Sequence, residues 1–352
     1  MKYNGKIIVL AYPDTFVTVS DEWICKLLPL VGLGTWNYIK AGHAALILVE
    51  NETGKARYFD FGRYVTPKGY GRVRGANTDA ELEIPFPAEF SRDGTLENLN
   101  DFLYWLDENP LKTHGEGRLL ASVCDAINFQ KAETHILNLQ SQGSIPYGAF
   151  DKTGSNCARF VTDTLLNATS EKKIIKALNF NKKFTPSTVG NVEKAALGDV
   201  YEVFEGHIKH FKGSAFKENL TNYFGRKRDV SASNGPPGMN GFNSLKEQEN
   251  IKDFLPKTAQ RLAGTGSDAW FELVPDEDLP KNYFRIRRFN EFFEVDFDGV
   301  YASVELDSLE PFEFTYDSHC AFCHVLQNNK KIKLECIGHY AASSSSQKVR
   351  SA

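Results

Sequence analysis

The stretch IPYGAFDKTGSNCARFVTDTLLNA, residues 145–168, joins a glycine-containing turn to a cysteine at the start of an amphipathic pattern. Apolar residues recur at helical spacing after the cysteine and predict a helix that begins near Asn156. Cys157 then lies in the first turn, where the helix dipole and the free backbone N–H groups favour a thiolate and can hold an oxyanion. A buried, inert cysteine is the commoner fate of a free thiol, so this segment alone leaves both interpretations open.

A second stretch supplies a candidate base for this thiol. Residues 41–65, AGHAALILVENETGKARYFDFGRYV, contain two apolar runs around a turn-rich centre and predict a β-hairpin. His43 opens the first strand, and reflection across the turn places it opposite Gly62, with Asp60 one step away on the same face. One hairpin can therefore present an imidazole and a carboxylate together, as a Cys-His-Asp triad requires. His114, in THGEGRLL, is the competing third member, and a purely structural His43 also stays open.

The rest of the first 225 residues shows the periodicities of a mixed α and β domain. The predicted elements are strands at 5–13 and 117–127, helices at 21–32, 95–110 and 128–143, and a loop at 71–87 that leads to another strand.

After residue 225 the composition changes. The segment GRKRDVSASNGPPGMNGFN lacks periodicity and predicts a linker over 226–248. Short alternating strands over 249–340 predict a small all-β module, in which QNNKK forms a tight hairpin turn. The last residues, 341–352, have the composition of a disordered tail.

The overall composition excludes several classes of protein. With 352 residues, 41% hydrophobic and 24% charged, the chain is globular, and its net charge of −4 argues against nucleic acid as a partner. The N-terminal apolar run is too short for a membrane span or an export signal. Six unevenly spaced cysteines do not form a disulfide framework. We therefore expect a cytoplasmic protein with reduced thiols.

The order of these motifs resembles a known family. A histidine strand, a polar-residue strand and a Y-G…N-C-A-x-F-V helix look like the circularly permuted papain-like cysteine hydrolases, over about residues 1–200. Members include permuted relatives of the bacterial cell-wall amidopeptidases and the lecithin:retinol acyltransferase-like proteins. The resemblance implies an α+β fold, with an antiparallel sheet packed against helices, to which the C-terminal all-β module is added.

The resemblance also implies roles for particular residues. Cys157 matches the nucleophile, His43 the base and, less closely, Asp60 the polar orienting group. Tyr147 matches the tyrosine before the cysteine and, with Gly148 and Asn156, is expected to line the substrate and oxyanion pocket. The chain departs from the cell-wall enzymes in having Asn156 where they have Asp and alanine at 158 where they have Ser. These departures weigh against peptidoglycan as the substrate.

Two further groups of residues are candidates for binding. Arg63, Arg72 and Arg74 follow the hairpin and could hold an acidic substrate group, although solvated strand-edge arginines would give the same pattern. In the C-terminal module, four residues have a spacing that could bind zinc, namely Cys320, Cys323, Cys336 and His339. Their segments also read as hairpin partners, which argues against a zinc site, and we expect no metal or other cofactor.

The leading hypothesis is a cysteine-dependent hydrolase, either an amidase or peptidase or an acyltransferase, that acts on an amide or ester. The alternative is a catalytically silent binding or scaffold protein on the same fold, which acts through its β-module. The sequence indicates neither the small-molecule or peptide substrate nor the oligomeric state.

Overall fold

The computed structural model describes residues 2–18, 38–149, 153–183, 185–224 and 255–341. The helix predicted at 21–32, the linker at 226–248 and all but the first residue of the predicted tail lie outside these ranges. The chain divides into two compact units. The first comprises Met1–Glu249 and Gly264–Gly266, and the second comprises Asn250–Ala263 and Ser267–Ala352. The domain boundaries given above stay a prediction.

The first unit contains ten strands and seven helices among its described residues. The strands are β1 (Gly5–Tyr12), β2 (Phe16–Thr18), β3 (Tyr38–Lys40), β4 (His43–Glu50), β5 (Ala56–Gly62), β6 (Tyr70–Gly75), β7 (Leu119–Ile127), β8 (Ile145–Pro146), β9 (Val200–Phe204) and β10 (His207–His210). The helices are α1 (Leu99–Glu108), α2 (Pro110–Thr113), α3 (Phe129–Ser141), α4 (Cys157–Ala168), α5 (Lys172–Asn181), α6 (Thr188–Ala195) and α7 (Ala215–Phe224).

An antiparallel sheet of eight strands, in the order β10-β9-β7-β1-β4-β5-β6-β8, forms the centre of this unit. Its middle strand β1 is buried along its whole length, because helices cover both faces. On one face, Ile7 and Val9 pack with α3, α4, α5 and α6. On the other face, Ile8 and Leu10 pack against α1. Alternate residues of one strand thus serve two hydrophobic cores.

The second unit is a seven-stranded antiparallel sheet. Its strands are β11 (Gln260–Leu262), β12 (Ala269–Val274), β13 (Tyr283–Phe289), β14 (Val295–Ala302), β15 (Glu313–Phe314), β16 (Phe322–Gln327) and β17 (Lys330–His339). Their order is β11-β12-β13-β14-β17-β16-β15. The predicted hairpin at QNNKK is confirmed, since Gln327 pairs with Lys330 and both intervening asparagines have positive φ.

The predicted class, an α+β fold with an antiparallel sheet packed against helices and a C-terminal all-β module, is confirmed. The predicted loop at 71–87 is wrong in its first part, because residues 71–75 belong to β6 and pair with β5. Alternating arginine and valine fit a buried strand only because acidic partners lie beside the arginines. No helix within the described ranges is long and apolar enough to cross a bilayer.

Candidate active site

The β4–β5 hairpin places His43 and Asp60 on one face of the central sheet. Ala45 pairs with Asp60, and continuing this register puts Gly62 opposite His43, as the turn at ENETGK predicts. Asp60 is therefore one diagonal step from His43, within reach of a long side chain. His43 Nε2 lies 3.4 Å from Asp60 Oδ2, and both side chains are buried.

The Asp60 carboxylate is held from several directions. Arg74, its cross-strand partner on β6, donates from Nε to Oδ1 at 3.0 Å and from Nη2 to Oδ2 at 2.6 Å. The Tyr58 hydroxyl donates to Oδ2 at 3.1 Å. Burial alone would raise the pKa of Asp60, but the Arg74 charge and the contact with His43 hold that pKa well below its usual range. The carboxylate is consequently ionised at neutral pH.

The His43 imidazole interacts with the Asp60 carboxylate and with the Cys157 thiol. Burial would lower the pKa of His43, but its contacts with Asp60 and with the thiol of Cys157, together with their charges, raise the pKa to about 9. Among the described residues, Nε2 has no hydrogen-bond partner of good geometry, so the 3.4 Å contact with Asp60 is an ion pair rather than an aligned hydrogen bond. Such contacts are often loose in a ligand-free enzyme and tighten when substrate binds.

Cys157 is the first residue of α4, as the amphipathic pattern predicts. Asn156 is the N-cap, and its side-chain oxygen accepts from the backbone N–H of Arg159 at 2.9 Å. The thiol therefore lies beside the free N–H groups of a helix start, and only 6% of the residue is exposed. The neighbouring imidazole belongs to His43, the first residue of strand β4.

The segment before Cys157 is fixed by hydrogen bonds within itself. The side-chain amide of Asn156 donates to the Gly148 carbonyl at 3.0 Å, and the Gly148 N–H donates to the Ser155 carbonyl at 3.1 Å. The buried Arg159 guanidinium binds the carbonyls of Gly154 at 2.8 Å and of Ala149 at 3.0 Å. Both polar ends of the Asn156 side chain, predicted to line the pocket, are thus used in capping the helix and holding this turn.

Tyr147 lies between the core and the surface. Its ring stacks on Phe61 of β5 with a centroid distance of 5.9 Å, and the Arg63 guanidinium lies 4.7 Å from the ring centroid. Its backbone N–H donates to the Gly69 carbonyl at 2.9 Å. This position agrees with the wall role expected for Tyr147, and that role stays a prediction.

His114, the competing third member, is the C-cap of α2 and has a left-handed backbone. Its ring packs on Tyr64 with a centroid distance of 4.7 Å. Burial and the Arg74 charge lower the pKa of His114 to about 3, so it is neutral at physiological pH. A neutral imidazole stabilises an imidazolium less than the Asp60 carboxylate does.

Sequence reasoning missed Tyr12, Tyr58 and Tyr64 around this site, and it gave Arg74 a different role. Tyr12 pairs with His43 across β1 and β4 and stacks on its ring at 6.2 Å. Tyr58 and Arg74 bind Asp60. The Tyr64 ring lies 3.7 Å from the Arg74 guanidinium and covers Gly62, where any Cβ would overlap it. If the pairing of β6 with β5 were known, the alternation of Arg72 and Arg74 along β6 would identify Arg74 as the partner of Asp60.

The suggested anion-binding role is wrong for two of the three arginines. Arg72 makes a two-bond ion pair with Asp79, at 2.6 Å for each bond, and Arg74 makes a two-bond ion pair with Asp60, at 3.0 and 2.6 Å. Both side chains are buried, so neither the substrate role nor the solvated-edge alternative applies to them.

The four residues considered for zinc lie in the second unit. Cys320 is buried after β15, Cys323 is buried on β16, and Cys336 and His339 lie on β17. The residues that the structure describes contain no group of three or more His, Cys, Asp or Glu side chains arranged to hold a metal ion.

Two family models match this chain. Residues 7–174 match the family described as type VI secretion system effector TseH-like, and this range contains His43, Asp60 and Cys157. Residues 259–337 match the DUF6695 C-terminal domain, and this range contains most of the second sheet. No curated protein matches the chain.

One solved structure is similar to part of the chain. It is the crystal structure of the type VI secretion system effector TseH, which is 20% identical to this chain. The match covers 60% of this chain and 100% of that chain, with a TM-score of 0.41.

Proposed function

We propose that the first unit is a cysteine-dependent hydrolase in which Cys157, His43 and Asp60 form the catalytic triad. One observation carries the proposal: three residues from α4, β4 and β5 form a chain of thiol, imidazole and carboxylate, with the carboxylate fully buried and ionised. This is the nucleophile, base and orienting group of acyl transfer. The match of residues 7–174 to an effector family is compatible with an enzyme at this site.

The proposed reaction proceeds through a thioester. His43 takes the thiol proton, and the sulfur of Cys157 attacks the carbonyl carbon of an amide or ester. Backbone N–H groups at the start of α4 stabilise the resulting oxyanion. His43 returns its proton to the departing amine or alcohol, and the acyl group stays on sulfur. Water, deprotonated by His43, then attacks the thioester and releases the acid, or another acceptor takes the acyl group in its place.

The architecture that we propose is the permuted papain-like one. In this chain the histidine strand β4 and the carboxylate strand β5 precede the cysteine helix α4, which is the order that the permuted relatives share. We further propose that residues 1–225 are the hydrolase domain and that residues 249–340 are a separate module.

The place of action follows from two considerations. We propose that the protein folds in the cytoplasm. Because residues 7–174 match an effector family, we also propose that a type VI secretion system delivers the protein to another compartment. We propose that the substrate is an acyl compound, either a small molecule or a peptide. Nucleic acid is not proposed as a partner.

The limited exposure of the site favours a second candidate function. His43 and Cys157 are only 5% and 6% exposed, so the thiol offers a substrate little direct access. A binding or scaffold protein that keeps the fold and acts through its C-terminal module would need no such access. The two functions differ in one property: only the enzyme forms a covalent acyl adduct on Cys157.

The test is acyl labelling of the full chain with small ester and amide probes, read by mass spectrometry. We expect an adduct on Cys157 in the native protein and in Cys124→Ser, and none in Cys157→Ser. Cys124 is a matched control because it is buried in the same core, where burial raises its pKa to about 12. If no probe acylates Cys157 in a folded protein, the scaffold function is the correct one.

A further inference from the structure

The Asp60 carboxylate has a second cationic partner besides His43. Arg74 binds both carboxylate oxygens, and its Nη2 also donates to the Lys112 carbonyl at 3.2 Å. Its side chain is 3% exposed and that of Asp60 is 0% exposed. A bidentate guanidinium fixes both the plane and the charge of a carboxylate, which a single imidazole contact at 3.4 Å does not.

We propose that Arg74 is a positioning residue of this site, which orients Asp60 and limits how strongly that carboxylate holds the proton of His43. The proposal rests on the hydrolase function proposed above. It adds a fourth member to the triad, so that Arg74, Asp60, His43 and Cys157 form a row of charges of alternating sign when the thiolate and the imidazolium are present.

The reason lies in what a general acid must do. During thioester formation the His43 imidazolium has to give its proton to the leaving group, so it must not be held too tightly. A carboxylate whose charge is shared with Arg74 attracts that proton less than an unshared buried carboxylate would. Arg74 thereby keeps Asp60 ionised and at the same time keeps His43 acidic enough to act.

Other charged and titratable groups surround this row. Tyr58 donates to Asp60, and Tyr64 stacks on Arg74. Glu81 Oε1 lies 4.0 Å from Arg74 Nη1. Asp79 also acts electrostatically on Arg74, Tyr147 acts on Tyr64, and Tyr12 acts on Tyr58, while the neutral His114 ring lies within the field of Arg74, Asp60 and His43. Among the partners described for Asp60, Arg74 is the one permanent cation, since His43 carries a charge only when protonated.

A purely structural role for the Arg74–Asp60 pair is the competing explanation. Breaking a buried ion pair destabilises a protein whatever its function, so a loss of stability cannot distinguish the two. The chain contains a matched control on the same strand, because Arg72 makes an equivalent buried, two-bond pair with Asp79. Arg72→Met removes such a pair without touching Asp60.

The experiment is an NMR titration of the His43 ring in the full-length protein with labelled histidine, for Arg74→Met, Arg74→Lys, Arg72→Met and the native chain. Folding of each variant is checked by circular dichroism. We expect Arg74→Met to raise the His43 midpoint by about one pH unit. Arg74→Lys should restore the native midpoint, and Arg72→Met should leave it unchanged.

Two results would overturn the proposal. One is that the His43 midpoint in folded Arg74→Met equals that of the native protein, and the other is that Arg72→Met shifts the His43 midpoint as much as Arg74→Met does. If Arg74→Met does not fold, Arg74→Lys decides, because a single ammonium keeps the charge but loses the two-bond geometry. It should then show the native midpoint and a kcat lowered about tenfold with unchanged KM. An unchanged kcat would contradict positioning. The titration of Arg74→Met does not need turnover, so it separates failure of this proposal from failure of the hydrolase function, whereas the kcat of Arg74→Lys is measured with the ester probe that acylates Cys157.

Discussion

Two regions among the described residues combine cysteine with histidine, and in only one of these two do the thiol and the imidazole lie in contact. In the first unit, Cys157 begins a helix and meets His43 from a distant strand, with Asp60 behind it. In the second unit, Cys323 and His324 are adjacent in sequence on β16, and neighbouring residues of a strand point to opposite faces. Adjacency in sequence therefore separates the second pair, whereas the fold brings the first pair together.

The surroundings of the two thiols differ as much as their partners do. Cys323 is fully buried, its sulfur lies 3.8 Å from the His319 carbonyl, and burial raises its pKa well above the usual range. The His43 pKa is raised because a carboxylate and a thiol face it, while burial lowers the pKa of His324. Of the two thiols, only Cys157 combines a neighbouring imidazole with a helix start and a buried carboxylate, which are features that favour a thiolate.

Replacing each thiol gives the largest expected difference between the regions. We expect Cys157→Ser to lower acyl-transfer activity by at least about a thousandfold, because the nucleophile itself is lost. Cys323→Ser should keep the activity of the native protein within about twofold, since Cys323 is not part of the proposed triad and burial raises the pKa of its thiol far above neutrality. Steady-state assays on both folded variants measure the difference. Equal losses in the two variants would remove the distinction.

Removing the carboxylate should make the first region resemble the second. Asp60→Asn keeps the shape of the side chain but leaves His43 without its anion, so we expect acylation to slow at least about tenfold. His114→Ala is the control, because this ring contacts Tyr64 and stays neutral. Single-turnover acylation measures both variants. Native rates in Asp60→Asn, with loss of activity in His114→Ala, would assign the third position to His114.

The charge on His43 should also appear in the pH dependence of stability. Its pKa is raised from 6.5 to about 9 in the folded protein. The protonated imidazole therefore contributes stability that is complete below pH 6.5 and lost as the pH rises through about 9. We expect the free energy of unfolding of the native protein, minus that of His43→Gln, to fall over this window. Urea unfolding at several pH values measures it, and a difference that rises with pH would contradict the sign.

The smallest expected effect concerns the helix start that distinguishes Cys157. Asn156→Ala removes the cap of α4 and should cost about 1 kcal/mol of stability, with slower alkylation of Cys157. Asn128→Ala is matched, because Asn128 caps α3 through the same bond, to the Lys131 N–H at 2.9 Å. The Asn128→Ala variant should lose a similar amount of stability, and the rate at which its Cys157 is alkylated should not change. Thermal unfolding and iodoacetamide rates compare the two, and equal alkylation rates would show that the cap does not influence the thiol.

The sequence predicted the features that depend on residues close together in the chain better than those that depend on distant residues. The helix of Cys157 and the hairpin register that brings Asp60 towards His43 follow from local periodicity and one turn, so both could be derived. The partner of Asp60 could not, because it required knowing that residues 71–75 form a buried strand rather than a loop. A buried arginine is recognisable only together with the carboxylate that pairs with it.

The role of Asn156 was obscured for a different reason. An asparagine before a cysteine at a helix start can line a pocket or cap the helix, and the sequence alone does not distinguish these roles. In the structure its amide binds the Gly148 carbonyl and its oxygen binds the Arg159 N–H, so Asn156 caps α4, and its pocket role stays a prediction. Similarly, the spacing of Cys320 and Cys323 fits a zinc site, but the spacing does not show that Cys323 lies on β16 while Cys320 precedes that strand.

The central claim, that His43 activates Cys157, is tested most directly by competitive alkylation of the native protein at pH 7. Limiting iodoacetamide is added to the full chain, and the label on each cysteine is quantified by mass spectrometry, in the native protein and in His43→Ala. The account predicts that Cys157 reacts at least about ten times faster than Cys323 and that His43→Ala abolishes this preference. Equal rates at the two cysteines in the native protein, or a preference that survives in folded His43→Ala, would contradict it.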